Sequence, residues 1–136
     1  MTKEEKKKYL QSYLPKVRAA KCIEEEIEQL RMDKMLQSLI INDMPHETER
    51  KDLSDYMAKL DEVERKLVKA RYEKINLYSK IFADIGKMEN ETEKELLTYR
   101  YLRGYTWEKI GQRMNYSIEQ AHRIHNRALE HFEIDK

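Results

Sequence analysis

Residues 93–132 read EKELLTYRYLRGYTWEKIGQRMNYSIEQAHRIHNRALEHF, and this stretch decides the fold. Apolar residues recur at helical spacing in three short runs, separated by residues that end and start helices. Leu96, Leu97, Tyr99 and Leu102 give the first run, about Glu91 to Arg103, an inward face, and Gly104 closes it. Thr106 offers its hydroxyl oxygen to an orphan N–H at the start of the second run, Trp107 to Met114. Ile110 and Met114 lie four apart and face inward, while Gly111 has no side chain and permits close approach of a neighbouring helix. Asn115 suits a tight left-handed turn. Ser117 and Gln120 have the Ser-x-x-Gln spacing of a capping box, which starts the final helix, about Ile118 to Phe132. The last two helices, joined by so short a turn, predict a helix-turn-helix.

The final helix sorts into two faces. Ala121, Ile124, Ala128 and Leu129 form the inward stripe, and Glu119, Gln120, His122, Arg123, Asn126 and Arg127 point outward. A helix-turn-helix lays its second helix into the DNA major groove. There Arg pairs bidentately with guanine, and Asn or Gln with adenine. Residues near the helix start meet base edges, so Glu119, Gln120, His122 and Arg123 are the expected base readers. Lys109, Arg113, Tyr116, Ser117, Asn126 and Arg127 are the expected backbone or positioning contacts. Residues 91–136 hold eight Lys/Arg and eight Asp/Glu, so phosphate attraction from this segment alone is modest.

The run from Leu96 to Phe132 resembles the sigma-70 region 4 type of helix-turn-helix. Its LRG turn, its Trp107-x-x-Ile110 helix and the Arg123-Ile-His, Arg127-Ala-Leu run of the final helix carry the resemblance. The sequence is also similar to phage transcriptional regulators of the ArpU/RinA type. For these the MNYS turn, the RIH and RAL runs, and the DMP turn followed by DLSDYMAKLDE are the matching features. That resemblance implies a phage-encoded activator of late genes acting in the cytoplasm of a bacterial host, with host RNA polymerase as a further partner. Ala121 departs from the β-branched residue that many sigma-like motifs carry.

Upstream, Leu10, Leu14, Val17, Ala20, Ile23, Ile27 and Leu30 keep helical spacing, and Met35, Leu36 and Leu39 extend it. Pro15 either kinks this helix near Leu14 or sits in the first turn of a new one. Asn42 to Arg50 (NDMPHETER) reads as the main loop. A second long helix, about Lys51 to Ile85, carries Leu53, Tyr56, Leu60, Val63, Leu67, Ala70, Leu77 and Ile81. Thirty-five residues span about 50 Å, a length typical of coiled coils and helical hairpins. Folding 16–41 back on 51–85 leaves Met57, Val68, Ile75, Tyr78 and Phe82 for another partner, most simply a second copy. The same stripe also serves a swapped dimer. Gly86 is placed to end the helix in a left-handed cap. The expected architecture is all-α. Residues 1–86 form an extended, coiled-coil-like helical hairpin for oligomerisation, and residues 87–136 form a three-helix unit with the helix-turn-helix.

Charged residues make up 39% of the chain and only three glycines and two prolines interrupt it, a composition for long helices. Net charge is +1, so any nucleic-acid affinity comes from a local surface. The single cysteine, Cys22, excludes an internal disulfide and reads as a small buried hydrophobe. The MTKEEKKKYL start has no apolar core for a secretory signal, and no apolar run reaches membrane-spanning length. His122 and His125 sit three apart without a third ligand in register, so no metal and no cofactor are expected. Trp107 reads as core or as the edge of its unit, and His125 as a flank of the core. No phosphate-binding glycine loop, zinc-protease helix or nucleophile elbow is present, so an enzyme is not expected. The expected partners are double-stranded DNA and a second copy joined through the long helices, with no membrane. A small terminase-like DNA-packaging component and a helical protein-interaction module remain the alternatives. A complete small sigma factor would need a promoter-melting region that the chain does not show.

Overall fold

The computed structural model describes the backbone of residues 1–40 and 46–134, and the side chains of 1–39 and 50–134. Its described elements are all helical: α1 (Lys3–Leu10), α2 (Tyr13–Ile40), α3 (His46–Gly86), α4 (Glu91–Leu97), a π-helical segment (Thr98–Leu102), α5 (Trp107–Met114) and α6 (Ile118–His131). The chain divides into two compact units, one of Val17–Glu73 and one of Met1–Lys16 with Lys74–Lys136.

In the first unit, α2 and α3 pack as a hairpin within one chain. Ile27, Val63 and Leu67 are buried at its centre, with Ile23, Leu30 and Leu60 half-buried around them. Arg31 reaches Glu64 at 3.2 Å and Arg71 reaches Glu24 at 2.9 Å, each crossing from one helix to the other. Both pairs are exposed, so each contributes under about 1 kcal/mol, and apolar burial holds the hairpin. Two helices can bury only one stripe between them. Met35, Leu36, Leu39 and Leu53 are exposed, although their spacing had placed them on the inward stripe; they lie beyond Leu30 and Leu60, where the buried cluster ends. Met57 and Val68 are exposed as their position on the outer flank predicts. Cys22 is also exposed, against the expectation of burial. It sits one position off the stripe marked by Ile23 and Ile27.

Helix α3 begins at His46, earlier than the predicted Lys51. Residues 46–50, His-Glu-Thr-Glu-Arg, contain no glycine or proline, so nothing after Pro45 opposes helix formation. Of the loop predicted over Asn42–Arg50, residues 46–50 are thus helical, and 42–45 fall outside the described residues.

The second unit is larger than the residues 87–136 that sequence periodicity set apart, because α1 and the end of α3 pack into it. Thr2 caps α1 by accepting from Glu5 N, and the helix ends at Gln11. Pro15 is the third residue of α2, in a first turn where its missing N–H leaves no bond unmade. The break thus falls two residues before Leu14. Leu10, Ile81 and Ile85 join Leu96, Leu97, Ile110, Ile124 and Phe132 in one core. Tyr9 Oη donates to the buried Asp84 at 2.5 Å, and burial with this carboxylate pushes the Tyr9 pKa up. Lys6 Nζ donates to the carbonyls of Leu129 and Glu130 at 3.0 and 3.2 Å, so the first helix caps the C-terminal turn of the last one. Tyr78, expected on the free flank, is half-buried with its ring 5.4 Å from Tyr13. Ile75 and Phe82 of that flank are exposed. Gly86 lies inside α3 and is not left-handed. Gly104 is, at φ 72°, and Leu14 methyls lie 3.5 Å from where its Cβ would be.

Candidate nucleic-acid interface

Local chemistry sets the ends of α4, α5 and α6. Asn90 Oδ1 accepts from Glu93 N at 3.1 Å, Thr106 Oγ1 from Lys109 N at 3.2 Å, and Ser117 Oγ from Gln120 N at 3.1 Å. Gln120 Oε1 accepts from Ser117 N at 3.0 Å, which completes the predicted capping box. Each such cap contributes about 1 kcal/mol. Between α5 and α6, Asn115 is left-handed at φ 59°, ψ 43°. Tyr116 N donates to Gly111 O at 2.8 Å, which folds the turn back onto α5. A Cβ on Gly111 would lie 2.6 Å from the Tyr116 carbonyl oxygen. The neighbour that needs this glycine is therefore the backbone of the turn, whereas the sequence pointed to a helix.

The helix that starts at Glu91 is not α-helical to Arg103 as expected. After Leu97 it widens into a π segment, where Arg103 N donates to Thr98 O at 3.0 Å, five residues back. Such a bulge shifts the side chains that follow it. Here it leaves Tyr101 and Leu102 buried, with Tyr99 half-buried and stacked on Tyr105 at 5.3 Å. Arg100 lies over the Trp107 ring at 4.6 Å and donates to the Tyr105 carbonyl at 3.1 Å. Arg100, Tyr101 and Tyr105 carry weight in this surface that their spacing in sequence does not reveal. A π insertion has no periodic signature of its own.

The expected site residues fall into three groups. Tyr116, Gln120, Arg123, Asn126 and Arg127 line one open groove along α6, with Ile124 at its floor. Glu119 and Ser117 are exposed at the helix start beside it, and Glu119 Oε2 lies 3.8 Å from Arg123. Lys109 and Arg113 stand apart, on α5. Their cationic groups lie 3.9 and 5.2 Å from the centre of the Tyr105 ring. His122 is exposed, but its ring lies 4.2 Å from that of Trp107. Trp107 itself is half-buried, at the edge of the unit. Among the described residues, no three His, Cys, Asp or Glu side chains converge as metal ligands.

Beneath this surface His125 is buried, with Nε2 2.6 Å from Tyr101 Oη. Burial pushes the tyrosine up to about 12. Burial, then Lys7, His122 and Arg100, push His125 down to about 4. At neutral pH the phenol therefore donates and the neutral imidazole accepts. The folded pKa lies below the unfolded value near 6.5, so the unfolded chain takes up the proton first. This contribution to stability is complete above about pH 6.5 and declines as pH falls toward 4. Urea midpoints should show wild type losing about 2 kcal/mol more than His125→Gln between pH 7 and pH 4.5. Equal acid losses in the two proteins would contradict a neutral buried imidazole. At the end of α6, Glu93 is buried and accepts from or pairs with His131 Nδ1 at 2.9 Å, which ties the start of α4 to the last turn of α6.

No helix among the described residues is long and apolar enough to cross a membrane. No curated protein and no solved structure matches the chain. Residues 90–132 match the family model Sigma-70, region 4, a span running from the Asn90 cap of α4 to Phe132 at the end of α6. Residues 90–132 are thus similar to a sigma-70 region 4 helix-turn-helix, and that similarity suggests a role in DNA binding and transcription.

Proposed function

We propose that the protein is a sequence-specific DNA-binding transcription regulator, of the phage late-gene activator kind, that reads its site with α6. The observation that carries this reading is the groove on α6. Gln120, Arg123, Asn126 and Arg127 line it together, on a helix whose start is fixed by a double cap and a left-handed turn. These are the side-chain types that pair with adenine and guanine edges or with phosphates. Glu119, Gln120, His122 and Arg123 are the proposed base readers. Lys109, Arg113, Tyr116, Ser117, Asn126 and Arg127 are the proposed backbone and positioning contacts.

A homodimer through the long helices completes the reading. The hairpin buries few residues of its own and leaves Met35, Leu36, Leu39, Leu53, Met57 and Val68 exposed, which supports a second copy covering them. Two recognition helices would then address half-sites about 34 Å, or a multiple, apart. Host RNA polymerase is the proposed target of activation. A ring-sized mass in sedimentation would favour the packaging alternative over the regulator.

The test is selection from a random duplex library, with wild type and Arg123→Ala side by side. Arg123 is exposed and its pair with Glu119 contributes little to folding, so the variant stays folded. Wild type should enrich a defined motif, and the variant should lose preference at one or two positions with affinity for the wild-type site down about 10–100-fold. A wild type that enriches nothing, or a variant that enriches the same motif equally well, would refute the assignment to α6.

A further inference from the structure

Residues 91–136 are electrically neutral, but the folded unit that contains them is not. Met1–Lys16 with Lys74–Lys136 holds sixteen Lys/Arg and twelve Asp/Glu, a balance of +4. Val17–Glu73 holds eleven and fourteen, a balance of −3. Charge is thus sorted between the units, and α1 is the main source of the excess, with four lysines against two glutamates in eight residues.

The four lysines of α1 have different partners. Lys6 is committed to the Leu129 and Glu130 carbonyls, and Lys3 Nζ lies 3.0 Å from Glu130 Oε1. These two, with Leu10 in the core and Tyr9 stacked 6.2 Å from Phe132, seat the helix against the last turn of α6. Lys7 and Lys8 have no carboxylate partner among the described residues. Lys7 lies close enough to His125 of α6 to disfavour its protonation. Helical spacing puts Lys7 on the same side of α1 as Lys3, whose partner Glu130 shares the outer face of α6 with Arg123 and Asn126. Lys8 is exposed on the outer side of α1.

We infer that α1 is a second DNA-contacting element, in which Lys7 and Lys8 meet backbone phosphates flanking the groove that α6 enters. The inference rests on the reading of α6 as the recognition helix. It accounts for how a neutral helix-turn-helix segment gains phosphate affinity: the attraction comes from a helix more than a hundred residues away in sequence, pinned to the recognition helix by Lys6. Duplex DNA is the occupant that fits, because half-buried Lys7 and exposed Lys8 place two ammonium groups on a helix seated against α6, in a unit with a balance of +4. Phosphate contacts of this kind raise affinity without adding sequence preference.

The experiment measures dissociation constants of the full chain for its selected duplex and for an unrelated duplex across a salt series. Wild type is compared with Lys7→Gln/Lys8→Gln, which retains helix-forming side chains and leaves Lys3 and Lys6 in place. Losing two phosphate contacts should flatten the slope of log affinity against log salt by about 2 and lower affinity about 10–30-fold near 0.15 M salt, on both duplexes alike. The selected motif should be unchanged, unlike that of Arg123→Ala. A variant within twofold of wild type, with an unchanged slope, overturns the inference while leaving the reading of α6 intact. Wild type that selects no DNA overturns both. A thermal midpoint matching wild type identifies any loss as electrostatic, and Lys8→Gln alone should give about half the change in slope.

Discussion

Phe132→Ala should lower the stability of the unit that carries the helix-turn-helix by about 3–5 kcal/mol. Phe132 is fully buried and is the largest such side chain among the described residues. It follows the last residue of α6, where the backbone turns extended at φ −71°, ψ 133°. That turn sends the ring into the core beside Tyr9 of α1, so one side chain joins α6 to α1. Truncation removes the transfer energy of a phenyl group and leaves a cavity whose walls are helices already pinned by their caps. Against a typical total of about 5–15 kcal/mol, such a loss takes a fifth of the stability or more. Urea unfolding followed by far-UV circular dichroism measures it. Phe132→Leu should retain well over half of the lost energy. A midpoint for Phe132→Ala within 1 kcal/mol of wild type would show that the ring is not part of the core.

Gly111→Ala should destabilise the same unit by about 1–3 kcal/mol, although alanine is the better helix former by about 1 kcal/mol. The new Cβ would lie 2.6 Å from the Tyr116 carbonyl oxygen. That oxygen cannot swing aside freely, because the N–H of its own peptide, that of Ser117, donates to Gln120 Oε1 at 3.0 Å and Asn115 is held left-handed. The turn must therefore open, and opening it changes the angle at which α6 leaves α5. On the proposed reading of α6, DNA affinity should fall more than tenfold at temperatures where the variant is still folded, since misplaced side chains would lose bidentate contact with base edges. Gly86→Ala is the matched control. Nothing lies within 4 Å of its Cβ position and its backbone is not left-handed, so it should be neutral or slightly stabilising. If both substitutions behaved alike in thermal unfolding, the close approach at Gly111 would not be a constraint.

What was legible in the sequence was what is decided locally. Thr106, Asn115, Ser117 and Gln120 act on backbone groups within three residues of themselves, and each does in the structure what its type and spacing predict. The inward stripe of α6 was legible for the same reason, because helical period alone sorts Ala121, Ile124, Ala128 and Leu129 from their neighbours. The hairpin was legible as a pattern, but its extent was not. Periodicity marks every apolar position that a partner helix might cover and says nothing of where cover stops, as the exposed Leu36, Leu39 and Leu53 show. The π segment escaped notice because one extra residue in a turn leaves no mark on composition. Arg100 over Trp107 and Tyr101 against His125 follow from it. The seat of α1 on α6 was hidden by distance along the chain, since no local rule links Lys6 to Leu129. Within the candidate site, the residues that share the α6 groove were legible, and the aromatic partners of Lys109, Arg113 and His122 were not.

The bond from Lys6 to the end of α6 spans 123 positions, and it has a consequence for the order of events on the ribosome. A unit assembled from residues 1–16 and 74–136 is discontinuous, and α1 is synthesised long before the helices it must pack against. Bringing it back across an unstructured stretch of Val17–Glu73 would carry the full entropy of closing a long loop. The hairpin removes most of that penalty. Its contacts are complete once α3 has emerged, and Glu24 paired with Arg71 brings the two ends of the intervening stretch together. Early folding of α2 on α3 then shortens the loop that α1 must close, and the unit is complete only once α6 has emerged and packed.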